Sequence, residues 1–95
     1  MTASDSHERR DIYYQGRVQG VGFRYTVRQL AARFSLTGFV QNLRDGRVRL
    51  VIEGDPSETT GLLRAIEDEL GRYITDTREE CSPATGSFRG FEIRF

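Results

Sequence analysis

Residues 11–34, DIYYQGRVQGVGFRYTVRQLAARF, change their period partway along, and that change decides the fold. At first Ile12, Tyr14, Gly16 and Val18 alternate with Tyr13, Gln15 and Arg17, the period of a half-buried strand. A short run, Gln19-Gly20-Val21-Gly22, follows. Then Phe23, Val27, Leu30, Ala31 and Phe34 recur at i, i+4, i+7, i+8 and i+11, one face of an α-helix reaching about Phe34. Arg24, Arg28 and Arg33 stay off that stripe.

Residues 36–53 read as a hairpin centred on Asp45-Gly46. A two-residue loop would pair Leu43 with Val48 and Gln41 with Leu50, placing Gln41 among Val48, Leu50 and Ile52. A three-residue loop, Arg44-Asp45-Gly46, pairs Asn42 with Val48, Val40 with Leu50 and Gly38 with Ile52. The second keeps the buried face apolar, and a slip of one residue would invert it, so it is preferred. It puts Asn42 at the end of the core-facing row.

A second helix follows Gly54. Asp55 is the expected N-cap, Pro56 the first helical residue, and Glu58 completes a capping box. Leu62, Leu63, Ile66 and Leu70 form its stripe, and Gly71 is the expected stop. Residues 72–81 alternate poorly and read weakly as a strand, and Pro83 to Gly86 read as loop. Residues 88–95 read as a strand with Phe91, Ile93 and Phe95 on one face. The order β-α-β-β-α-β fits an α+β, ferredoxin-like sandwich: an antiparallel sheet of four to five strands with two helices on one face. Residues 1–10 are expected to be a flexible N-terminal tail and residues 11–95 a single domain.

Composition narrows the chemistry. Of 95 residues, 37% are hydrophobic, enough for one core, and fourteen basic residues balance fourteen acidic ones. A balanced charge argues against a general polyanion binder. All fourteen basic residues are Arg, so there is no phosphate-loop lysine and no Schiff-base lysine. The one Cys (Cys81) and one His (His7) exclude an intrachain disulfide, a cysteine metal cluster, a His-rich metal site and a triad built on a core histidine. No apolar run approaches membrane-spanning length. Residues 1–10 lack the apolar stretch of a signal peptide, so a cytoplasmic protein is expected.

The turn between the first strand and the first helix is where an anion would bind. Orphan N–H groups and the positive end of the helix dipole point into it, and Gly20 and Gly22 let the backbone approach closely. A dinucleotide G-x-G-x-x-G would need glycine at Tyr25, and a Walker loop would need a lysine. What remains is an anion cradle with Arg24 at the helix start. A glycine turn with a solvated arginine is the ordinary alternative, as is an Asn42 that bonds local backbone near its hairpin.

The run Gly16-Arg17-Val18-Gln19-Gly20-Val21-Gly22-Phe23-Arg24, with Ala31, Thr37-Gly38-Phe39-Val40-Gln41-Asn42, Asp45-Gly46, Val48, Glu53-Gly54 and the closing Gly90-Phe91-Glu92-Ile93-Arg94-Phe95, closely resembles the acylphosphatases. The resemblance spans residues 12–95. It implies the same sandwich, usually with five strands, and hydrolysis of acyl phosphates to a carboxylate and inorganic phosphate. It also implies that Arg24 binds the phosphate, that Asn42 orients the attacking water, and that Gln19, Gly20, Val21, Gly22 and Phe23 supply the substrate-binding cradle. No cofactor and no metal are expected. The expected partner is a small-molecule acyl phosphate, with no nucleic acid and no membrane, and the expected state is a monomer. Phe39 stands where a Trp is usual in the family, Ser35 where a Gly is common, Leu43 where some members have Thr, and Arg49 where a small or acidic residue is frequent.

Such a sparse site suits the reaction. A carboxylate leaves readily, its conjugate acid having a pKa of about 4–5, so no general acid is needed. The requirements are to hold a dianion, keep water in line and neutralise the equatorial oxygens. A forked guanidinium and a ring of N–H groups meet the first and third, and an amide, which both donates and accepts, can orient water. Three alternatives stand beside this reading: a non-catalytic acyl- or carbamoyl-phosphate-binding module, a small-ligand regulatory module, and an RNA-binding domain. The last would need aromatics on the third strand, and residues 47–53 (RVRLVIE) have none.

Overall fold

The computed structural model describes residues 6–95. Strand β1 spans Glu8–Gly16, helix α1 Phe23–Ala31, strand β2 Leu36–Asn42 and strand β3 Val48–Gly54. Helix α2 spans Pro56–Leu70, strand β4 Ile74–Pro83 and strand β5 Phe91–Arg94. The sheet order is β4-β1-β3-β2-β5. The chain is thus the expected α+β, ferredoxin-like sandwich, with one correction: the sheet is mixed. β2 and β5 run parallel, because residues 84–90 carry the chain across one end of the sheet to its far edge, and β5 starts there in the direction of β2.

The hairpin takes the three-residue register. Gly38 pairs with Ile52, Val40 with Leu50 and Asn42 with Val48. Leu43 N–H bonds the Arg47 carbonyl at 2.8 Å and Gly46 sits at φ 95°, closing the loop. Ile12 and Tyr14 pair with Leu50 and Val48, so Ile12, Tyr14, Val40, Leu50 and Ile52 face the helices together. Phe23, Val27, Leu30 and Ala31 of α1 and Leu62, Ile66 and Leu70 of α2 close that core from above.

Several boundaries differ from expectation, each for a physical reason. β1 opens at Glu8, so residues 8–10, expected in the tail, pair with both β3 and β4. Their polar run hides the strand because its charges are matched across it. Arg10 pairs with Glu79 at 2.9 Å, and Thr59 Oγ1 donates to Glu8. Of the rest of the expected tail, residues 1–5 lie outside the described residues. At the other end of β1 the strand stops at Gly16 rather than Val18, where Arg17 N–H turns to the Tyr73 carbonyl at 2.8 Å.

α1 ends at Ala31 and not at Phe34. Asp55 does cap α2, accepting from Ser57 N–H at 3.0 Å, but Glu58 does not complete a box. Its Oε1 accepts from Ser35 N–H at 2.6 Å and ties α2 to the start of β2. α2 stops at Leu70, and Gly71 continues in right-handed backbone (φ −55°) into a 3-10 turn, Gly71–Tyr73. Phe91 and Ile93 pack on the core, but Phe95 does not join them; it is 86% exposed.

The sheet face away from the helices has its own cover. Phe39, Val51 and Glu53 are buried there. The Arg94 guanidinium lies 3.9 Å from the Phe39 ring centroid, and the Phe88 ring packs against Phe39 at a tilt of 60°, 5.8 Å between centroids. Arg49 makes two bonds to Asp11, at 3.0 and 2.8 Å.

Candidate functional site

The loop between β1 and α1 folds as it does because two glycines accept what other residues resist. Gly20 and Gly22 sit at φ 83° and 75°, left-handed backbone that a side chain would strain. Gly22 is the N-cap of α1, and neither a side-chain cap nor an acidic residue occupies the first turn. Thr26 N–H makes the first intrahelical bond, to the Gly22 carbonyl at 3.0 Å. The N–H groups of residues 23–25 precede it and have no partner within the helix. Their partial positive charge favours an anion.

These groups open into a cavity of about 230 Å³ lined by Val18, Gly20, Gly22, Phe23, Arg24, Tyr25 and Asn42. Arg24 and Asn42, eighteen positions apart in sequence, therefore meet at one end of the sheet. β1 hands over to α1 there, and β2 ends there. Arg24 is steadied by Nη1 donating to the Arg94 carbonyl at 3.1 Å, and its guanidinium lies 4.7 Å from the Phe95 ring centroid. Asn42 Oδ1 is buried and, among the described residues, has no hydrogen-bond partner. Phe23 is buried and fixed against Tyr14, ring centroids 5.5 Å apart, which anchors the helix start.

Two expected cradle residues sit differently. Gln19 does not line the cavity with its side chain. Its Nε2 donates to the Leu43 and Arg47 carbonyls at 2.8 and 3.0 Å, bracing the loop against the hairpin. Val21 is partly exposed and lies outside the cavity wall. Sequence reasoning missed Val18, Tyr25 and the Arg94 carbonyl. Val18 sits in the apolar alternation and Tyr25 beside Arg24, so both were within reach. The Arg94 contact spans seventy residues and leaves no local signal. Arg49 belongs to the opposite sheet face, bonded to Asp11, and so does not touch the cavity.

A larger cleft of about 600 Å³ lies at the opposite end of the sheet, lined in part by His7, Ser35, Thr37, Glu53 and Thr85. Its buried carboxylate is already satisfied. Glu53 accepts from Thr85 N–H (3.0 Å), Thr85 Oγ1 (2.7 Å) and Gly86 N–H (2.9 Å). Burial pushes the Glu53 carboxyl up, but these bonds and the Arg9 charge outweigh it and hold it below the usual carboxylate range. That carboxylate is engaged in holding the backbone at Thr85 and Gly86. Among the described residues no group of three or more His, Cys, Asp or Glu could hold a metal ion, and no helix is long and apolar enough to cross a membrane.

Comparison with known proteins gives a consistent result. The profile of the family described as acylphosphatase matches residues 10–93. An acylphosphatase of Rubrobacter xylanophilus is 39% identical over 95 residues, covering 99% of this chain and 86% of its own. One of Pseudomonas paraeruginosa is 49% identical over 83 residues, covering 86% and 90%. The crystal structure of acylphosphatase from Bacillus subtilis superposes with a TM-score of 0.85 at 32% identity, covering 93% of this chain and 99% of that one.

Proposed function

The chain belongs to the acylphosphatase family, and from that premise we propose that the cavity at the start of α1 hydrolyses acyl phosphates with Arg24 as the phosphate-binding residue and Asn42 as the water-positioning one. One observation carries the assignment of roles. Asn42, whose Oδ1 is buried with no hydrogen-bond partner among the described residues, lines the same small cavity as the uncapped helix N-terminus and Arg24.

The phosphate dianion sits against the N–H groups of residues 20–25 and the free edge of the Arg24 fork, whose Nη1 already rests on the Arg94 carbonyl. A water accepted by Asn42 Oδ1 lies in line with the phosphorus. Its oxygen attacks the phosphorus, the bond from phosphorus to the acyl oxygen breaks, and the electron pair leaves with the carboxylate. Asn42 is not basic, so the water's proton passes to a phosphate oxygen. Charge growing on the equatorial oxygens is met by a guanidinium and by fixed backbone dipoles, which need no reorganisation during the step. These groups supply the electrostatic service that a metal ion performs elsewhere, so the reaction is metal-independent.

The purified protein is expected to turn over a generic acyl phosphate equally well with and without a strong chelator. No turnover would overturn the enzymatic role. Activity lost to the chelator and restored by Mg²⁺ would overturn metal independence while leaving the site.

A further inference from the structure

Among the described residues three large hydrophobics are exposed: Val21 at 36%, Tyr25 at 54% and Phe95 at 86%. They come from three separate elements, the glycine loop, the first turn of α1 and the residue after β5. A single exposed apolar residue needs no explanation. Here all three converge on one place. Tyr25 lines the cavity, Val21 lies between its lining residues Gly20 and Gly22, and the Phe95 ring stands 4.7 Å from the Arg24 guanidinium.

The phosphate half of the substrate has no use for apolar surface. The acyl half does, and it extends away from the phosphate held in the cavity of about 230 Å³. We propose that Val21, Tyr25 and Phe95 form an apolar rim that receives the acyl group, so that the enzyme favours acyl phosphates with an aromatic or bulky apolar acyl part over small ones. The inference rests on the cavity being the acyl-phosphate site. Two aromatic rings beside the mouth suit an aromatic acyl group in particular, since ring pairs gain from stacking beyond simple burial.

The simpler role for Phe95 is to steady Arg24 through its ring face. The two roles separate by measurement. Benzoyl phosphate and acetyl phosphate present the same phosphate and release carboxylates whose conjugate acids both have pKa values of about 4–5. kcat/KM for each is measured with the wild-type chain, Phe95→Ala and Tyr25→Ala. Both residues are exposed, so neither change threatens the fold. The wild type is expected to favour benzoyl phosphate by about tenfold or more, which is 1.4 kcal/mol. Each variant is expected to lower that preference by about threefold or more. Equal efficiency with both substrates in the wild type overturns the inference. So do variants that lose the same factor with both, which would mean that Phe95 acts on Arg24 alone. Turnover of neither substrate overturns the catalytic reading and takes the rim with it.

Discussion

At residue scale, Asn42 is set apart by its position. It occupies the last place in an inner row whose other members, Gly38 and Val40 on its own strand and Val48, Leu50 and Ile52 opposite, are all apolar or side-chain-free. Its Oδ1 finds no partner among the described residues, so the amide adds no protein hydrogen bond to the fold. Asn42→Ala is expected to leave the thermal midpoint unchanged or raised and competitive inhibition by inorganic phosphate near wild type. It should cut kcat by roughly 10²–10⁴, or about 3–5 kcal/mol of barrier. Arg24→Ala is expected to weaken phosphate binding and slow turnover together, and Arg24→Lys to rescue neither, because a point charge lacks the fork. Steady-state kinetics with phosphate as inhibitor, and thermal melts of each variant, check the pair. Should Asn42→Ala lose phosphate binding as badly as Arg24→Ala, the roles are assigned wrongly. The face on which Asn42 sits was legible from the register, since only one pairing keeps Gln41 out of the core. The orphaned state of its oxygen was not, because it depends on what the loop and α1 fail to offer it.

At element scale, the β1–α1 loop and the β2–β3 hairpin act as one piece because Gln19 ties them with two bonds to hairpin carbonyls. Gln19→Ala leaves the cavity wall unaltered and removes the brace. It is expected to cost about 1 kcal/mol, a fall in thermal midpoint of roughly 4–8 °C for a domain of this size, and to raise KM for acyl phosphate. Calorimetry and kinetics on the same preparation test both halves. Legibility varied by element for a plain reason. Hydrophobic period reveals an element only where one of its faces is buried and the other wet. α1 meets that condition; the hairpin, buried on both faces around Phe39, Val51 and Glu53, was legible instead from Asp45-Gly46 and from the one register that keeps Gln41 out of the core. β4 does not meet it either: it is an edge strand whose residues from Thr75 to Pro83 are all exposed, so there was no alternation to find. Glu58 was misassigned because a capping box is a local pattern, whereas Ser35 N–H, its partner, comes from another element.

At the scale of the whole molecule, the two faces of the sheet are stabilised by different means. The helices seal one with an apolar core. The other is roofed by arginines laid on aromatic rings and paired with carboxylates, an arrangement that joins β1, β2, β3 and β5 and that no single stretch of sequence displays. Hydrogen bonds from Arg49 hold the Asp11 carboxyl below its ordinary range despite partial burial, as Glu53 is held by Thr85 and Gly86. Lowered carboxylate pKa values in the folded state mean that unfolding takes up protons. Their contribution is complete above the unfolded values of about 3.9 for Asp and 4.3 for Glu and is lost as pH falls below them. The thermal midpoint of the wild type is therefore expected to fall as pH drops from 5 to 3. Glu53→Gln should start lower at pH 7 and lose less over that interval, so that the two curves converge in acid. Parallel curves would show that Glu53 is not among the groups responsible. The contact between Arg24 and the Arg94 carbonyl joins positions seventy residues apart, and this has a consequence in time. A ribosome that has delivered the chain as far as Gly90 has already made the glycine loop, Arg24 and Asn42, yet the strand that steadies the guanidinium does not exist. On the role proposed for Arg24, hydrolysis is expected to begin only once β5 has docked and the Arg94 carbonyl has taken the guanidinium. Substrate turnover can thus serve as an unlabelled clock for the completion of folding.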